Sequence, residues 1–140
     1  MKSTICKIAI SVILSCFILF PLSAKQLFVS PEGDDSADGS SSGNAFKTLS
    51  KAVDAAEEGD EIVLLGIIDI SQEPADKIYN SDAYNKNNQG VKILDKGLTI
   101  SGDPNQTRTK TGFTGNKTTT CLRLDGLNKK VTIRNLTIKE

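Results

Sequence analysis

Apolar and polar positions change period sharply once along this chain, within Phe46 to Leu65, FKTLSKAVDAAEEGDEIVLL. Phe46, Leu49, Ala52, Val53 and Ala56 recur at helical spacing and form one stripe, which predicts a short amphipathic helix. Thr48 or Asn44 can cap its start, because a short side-chain oxygen accepts an orphaned first-turn N–H. Gly59 is placed to end it, since glycine tolerates the left-handed conformation common just past a helix. Ile62-Val63-Leu64-Leu65 is then an unbroken apolar run, the pattern of a strand buried on both faces. One helix is laid against the start of a β structure.

Upstream, Leu27-Phe28-Val29 reads as a short strand closed by Pro31, and Glu32 to Gly43 is a loop of Asp, Ser and Gly. Downstream, Gly66 to Ile70 alternates, and the polar stretch from Ser71 to Gln89 predicts a long loop carrying Tyr79 and Tyr84. From Val91 the pattern shortens. Val91 and Ile93 alternate before a bend at Asp95-Lys96-Gly97; Leu98 and Ile100 alternate before a turn at Ser101-Gly102. Leu122-Arg123-Leu124-Asp125-Gly126 echoes that unit, and Val131, Ile133, Leu136 and Ile138 repeat it around Arg134-Asn135. Hairpin sheets use longer strands joined by two-residue turns. A corner every few residues, with Val, Ile and Leu inward, suits a parallel solenoid in which each strand stacks on the next coil. On this pattern the span from Asn105 to Thr120 is a second long loop.

The N-terminus changes the picture. Lys2 and Lys7 precede an apolar run from Ile8 to Leu22, and Leu22-Ser23-Ala24 fits a small-residue cleavage site, so residues 1–24 read as a signal peptide. The run is short of the roughly 20 residues a spanning helix needs. Cleavage removes Cys6 and Cys16 and leaves Cys121 as the sole mature cysteine, so no internal disulfide is available and packing must supply stability. With no histidine to activate it, Cys121 reads as an inert buried thiol. The formal net charge is +0, without a basic stripe, which argues against a nucleic-acid partner.

Candidate chemistry is sparse. Asp34, Ser36, Asp38 and Gly39 match the first half of a calcium loop, but the twelfth position, where a bidentate Glu belongs, is Ala45. A metal-free Asp/Gly turn is the expectation, with calcium as the secondary reading. Thr99, Arg123, Thr132 and Arg134 read as outward groups on a sheet face, with Asp125 at a corner; two arginines there could meet an acidic sugar. Hydrolysis of a glycoside needs two carboxyls facing each other across a cleft, and Glu57 and Glu58 belong to the helix region instead. No catalytic, cofactor-binding or metal-ligating residue is assigned. Asn105, Asn116 and Asn135 head N-x-T sequons.

Leu27-Phe28-Val29-Ser30, Gly33-Asp34, Asp38-Gly39, Phe46-Lys47-Thr48-Leu49, Lys51-Ala52-Val53, Ala55-Ala56 and Gly59-Asp60-Glu61-Ile62 together resemble the start of secreted right-handed parallel β-helix proteins. These form the pectate-lyase-like superfamily, which includes polysaccharide lyases and polymorphic outer membrane proteins. The resemblance implies an all-β chain: residues 25–60 a strand, loop and capping helix, and residues 61–140 the first coils, with long loops at 69–90 and 103–120. The helix would cap the open N-terminal end. The family's lyases use a Lys or Arg base and calcium held by acids on later coils. The last coil would offer an unpaired edge, which predicts the N-terminal part of a longer protein or a partner on that edge. The expected role is a secreted or surface-exposed structural or adhesin-like protein, with carbohydrate or another cell-surface ligand as partner. The alternatives are part of a lyase or hydrolase of acidic polysaccharide, and a calcium-dependent carbohydrate-binding module.

Overall fold

The computed structural model describes residues 23–74, 78–80, 89–116, 120–125 and 128–139. The expected signal peptide lies almost wholly outside them, as does Tyr84. Among the described residues no helix is long and apolar enough to cross a membrane.

The chain opens with β1 (Gln26–Val29) and, after the Asp/Gly loop, α1 (Leu49–Ala55). β2 (Glu61–Leu64), β3 (Ile67–Asp69), a 3-10 turn (Ile70–Gln72), β4 (Ile78–Asn80) and β5 (Gln89–Leu94) follow. Next come β6 (Thr99–Gly102), a 3-10 turn (Arg108–Lys110), β7 (Gly112–Thr114) and β8 (Leu122–Asp125), and last β9 (Thr132–Arg134) and β10 (Thr137–Lys139). Sheet A has the order β1-β2-β6-β9, sheet B β3-β7-β10 and sheet C β4-β5-β8. Every pairing is parallel except β4 with β5. From β2 onward the chain therefore visits A, B and C, then A, B and C again, then A and B.

This path stacks like on like. Register aligns Leu27, Ile62, Ile100 and Ile133 in sheet A, and Ile68, Phe113 and Ile138 in sheet B. In sheet C, Val91 meets Leu122 and Ile93 meets Leu124. Leu27, Ile62, Ile100, Ile68, Phe113, Val91 and Ile93 are all buried in one core, and burying an Ile or Leu side chain contributes about 1.5–3 kcal/mol. The last member of each column is not covered: Leu124, Ile133 and Ile138 are exposed by 39%, 42% and 60%. Their inward register was expected; their exposure follows from the absence of any described strand beyond them.

The N-terminal end is closed by the loop and helix. The Phe28 N–H donates to Gly39 O at 2.8 Å, the Phe46 N–H to Phe28 O at 2.9 Å and the Ser30 N–H to Phe46 O at 2.9 Å, so the loop occupies the outer edge of β1. Gly39 has φ +69, and a Cβ there would stand 2.2 Å from the Phe46 ring. Leu49, Ala52, Val53 and Ala56 bury the helical stripe.

Four local expectations change. The helix stops at Ala56, not Gly59: the Lys96 ammonium donates to Val53 O at 2.8 Å and Ala56 O at 2.7 Å, taking carbonyls the helix end leaves open. Gly59, with φ +89, instead shapes the turn before β2, where its N–H donates to Gly97 O. Ser101-Gly102 ends β6 in place of turning. The expected loop at 69–90 contains the β4–β5 pairing, with Tyr79 opposite Gly90. The expected loop at 103–120 contains β7, the middle strand of sheet B: a single apolar residue, Phe113, in a polar stretch carries no periodicity to detect.

Candidate functional site

The outer face of sheet A collects a connected set of polar side chains. Leu27, Ile62, Ile100 and Ile133 point one way, so period-two alternation turns Gln26, Glu61, Ser101 and Arg134 to the other face. Glu61 sits at the centre. One carboxylate oxygen accepts from Ser101 Oγ at 2.7 Å and from Arg134 Nη2 at 2.6 Å, and the other accepts from Gln26 Nε2 at 3.1 Å. Partial burial pushes this carboxyl up, but donors from Ser101, Gln26 and Arg134, with the Arg134 charge, outweigh it and hold the group below the usual glutamate range. The cluster spans β1, β2, β6 and β9. Beside it a cavity of about 90 Å³ is lined by Val63, Gly102 and Pro104.

The pair of arginines expected on one face is split. Arg134 is on β9 of sheet A with Thr132 and, on β6, Thr99; Arg123 and Asp125 are on β8 of sheet C. A corner count that places both units in one stack misses that the chain changes sheet between them. Arg123 is the register partner of Lys92 on β5.

A second carboxylate was invisible in the sequence. Glu73, buried at 6% exposure, accepts from the Leu49 N–H at 2.7 Å and the Ser50 N–H at 3.2 Å, and from Ser50 Oγ. It caps the first turn of α1 from 23 and 24 residues away. Burial raises this carboxyl above the usual range more than those donors lower it, and Asp35 nearby adds to the rise. Asp35 in turn accepts from the Thr48 and Lys47 N–H groups, each at 2.9 Å, and from Thr48 Oγ1 at 2.8 Å. Thr48 is the N-cap, as its sequence position predicted, and accepts from the Lys51 N–H.

The half calcium loop folds on itself. Asp34 accepts from the Ser36 N–H at 2.8 Å, and Asp38 from the Ser40 N–H at 2.9 Å and Ser40 Oγ at 2.7 Å; these local donors lower both carboxyls. Ala45, at the twelfth position, is core. Among the described residues no three His, Cys, Asp or Glu side chains gather closely enough to hold a metal ion. Cys121 is half-buried, where full burial was expected, and burial, followed by the Asp69 charge, pushes its thiol up, away from a reactive thiolate.

No family model matches the chain, and no curated protein matches it. Among solved structures a rhamnogalacturonan lyase is similar at 19% identity and a TM-score of 0.46, over 83% of this chain and 27% of that one. The chain thus spans about a quarter of that protein's length.

Proposed function

We propose that this chain forms the capped first turns of a right-handed parallel β-helix, secreted and displayed at a cell surface, with a structural and ligand-holding role. The observation that carries this reading is the path through the sheets: the chain returns to A, B and C in cyclic order, parallel each time, with apolar residues in register. Residues 25–60 are then the cap and residues 61–140 the coils, as the family resemblance implies. The polar face of sheet A supports a structural role: Glu61 is held ionised by three donors from three strands, which suits a tie between turns better than an acid or base that must exchange a proton. The N-terminal apolar run supports secretion.

Antibody raised against the chain should label intact cells that make it. Labelling seen only after permeabilisation would sink the surface assignment. Asp34 and Asp38 spend oxygens on their own loop, so calcium should leave the melting temperature unchanged; a rise would restore the calcium-dependent module, since a ligand bound only to the native state stabilises it.

One observation favours the second reading, a part of an enzyme acting on acidic polysaccharide. Lys92 and Arg123 stand in register on the neighbouring strands β5 and β8 of sheet C, which places two basic residues on one sheet face. Incubation with polygalacturonate and calcium should give no unsaturated uronate by ultraviolet absorbance; its appearance would establish the enzyme in place of the structural role.

A further inference from the structure

A groove of about 890 Å³ runs along the outside of β1, lined by Phe28, the Ser40–Ser42 stretch, Asp38, Lys25, Gln26 and Glu61. We propose that this groove binds a saccharide bearing no acid group, two to four rings long. It names a ligand for the surface role above, and rests on that reading only for the setting in which the sugar is met.

The argument begins with what the groove refuses. A peptide strand would need free backbone groups at the edge of β1, but the Phe28 N–H and C=O are already bonded to Gly39 and Phe46. Strand addition is closed off there. A uronate or phosphate would need a free cation. Lys25, the groove's only lysine or arginine, bonds Ala55 O and pairs with the Asp60 carboxylate at 3.7 Å. Its backbone nitrogen, the charged terminus once residues 1–24 are cleaved, is bound to the same carboxylate at 3.0 Å. Among the described residues Asp38 has no basic partner, so the charge left there to meet a ligand is negative.

What remains is hydroxyl chemistry on an aromatic floor. Phe28 points away from the core, half-buried beside Val63, and supplies the groove's aromatic surface, against which the C–H side of a sugar can pack. The hydroxyls of Ser41 and Ser42 make no hydrogen bond within the described chain, and both residues are exposed. Ser40 differs, because its hydroxyl is spent on Asp38. Asp38 uses one oxygen for both Ser40 contacts, leaving the other to accept from a sugar hydroxyl. A floor for stacking, two free hydroxyls and one free carboxylate oxygen fit a polyol ring. The volume lies within the range of small-ligand sites, about 300–1,000 Å³, enough for several rings.

Titrate the 15N-labelled chain with cellotetraose, galactotetraose, chitotetraose and tetragalacturonate, following amide shifts and affinity. At least one of the three non-acidic tetrasaccharides should shift the Phe28, Ser41 and Ser42 amides. Tetragalacturonate should bind at least about tenfold more weakly, a difference of about 1.4 kcal/mol. S41A/S42A, on exposed positions that leave folding intact, should weaken binding about five- to twentyfold, the range for one or two lost hydrogen bonds. Asp38→Asn should narrow the discrimination against tetragalacturonate. The site is overturned if none of the three moves those amides, if S41A/S42A binds like the parent, or if the acidic sugar binds best. Surface labelling of intact cells would persist through any of these results, so failure of the groove and failure of the surface role are told apart.

Discussion

Two glutamates in this small chain respond to pH in opposite directions, and their surroundings say why. Glu61 is held below the usual range, so its contribution is present above the unfolded value and is lost as pH falls through the lowered folded value. Glu73 is raised, so its contribution is full below the unfolded value and is lost as pH rises through the raised one. Glu73→Gln should flatten the decline in stability above the usual glutamate range, read from urea midpoints across pH. An unchanged slope would mean another group titrates there. Glu73→Ala strands the Leu49 and Ser50 N–H groups at the start of α1 and should cost about 1–3 kcal/mol. Arg134→Ala should cost under about 1 kcal/mol, because that side chain is 61% exposed and water screens its pair with Glu61. A urea-measured loss above about 2 kcal/mol for Arg134→Ala would show that the contact to Glu61 ties the turns far more strongly than exposure allows.

At the scale of elements, β7 is the clearest test of packing. Phe113 is fully buried between Ile68 and Ile138, and Phe113→Ala should destabilise by about 3–5 kcal/mol. A chemical-denaturation loss below about 1 kcal/mol would contradict its place in the stack. Gly112 has φ +151, and a Cβ there would stand 1.8 Å from Thr137 O, so that backbone tolerates only glycine between β3 and β10. The helix, β1, β2 and the corners at Asp95 and Asn135 were legible because each has a local cause: an apolar stripe, a Thr cap, an apolar run, a residue at positive φ. β7 and the helix end were not. Their causes are Thr137 and Ile138 on β10 for the strand and Lys96 for the helix end, all distant in sequence from the element they fix. The capping role of Glu73 was hidden for the same reason, while the Asp34 and Asp38 turns, closed within two residues, could be read directly.

Across the whole molecule, stability rests on stacked apolar columns that are covered at the N-terminal end by the loop and α1 and uncovered at Leu124, Ile133 and Ile138. The all-β, mostly parallel character was legible in the short alternating units, because nearly every one became a strand. Which sheet each unit joins was not, since register between turns is decided by packing across tens of residues; Arg123 and Arg134 were separated by that choice. The measurement that bears most directly on the stack is a set of backbone NOEs between its strands. The account predicts contacts from Ile100 to both Ile62 and Ile133, and from Phe113 to both Ile68 and Ile138, in the staggered pattern of parallel pairing. Close Hα–Hα contacts between those strands, the mark of antiparallel pairing, or a Phe113 with no partner strand, would contradict it.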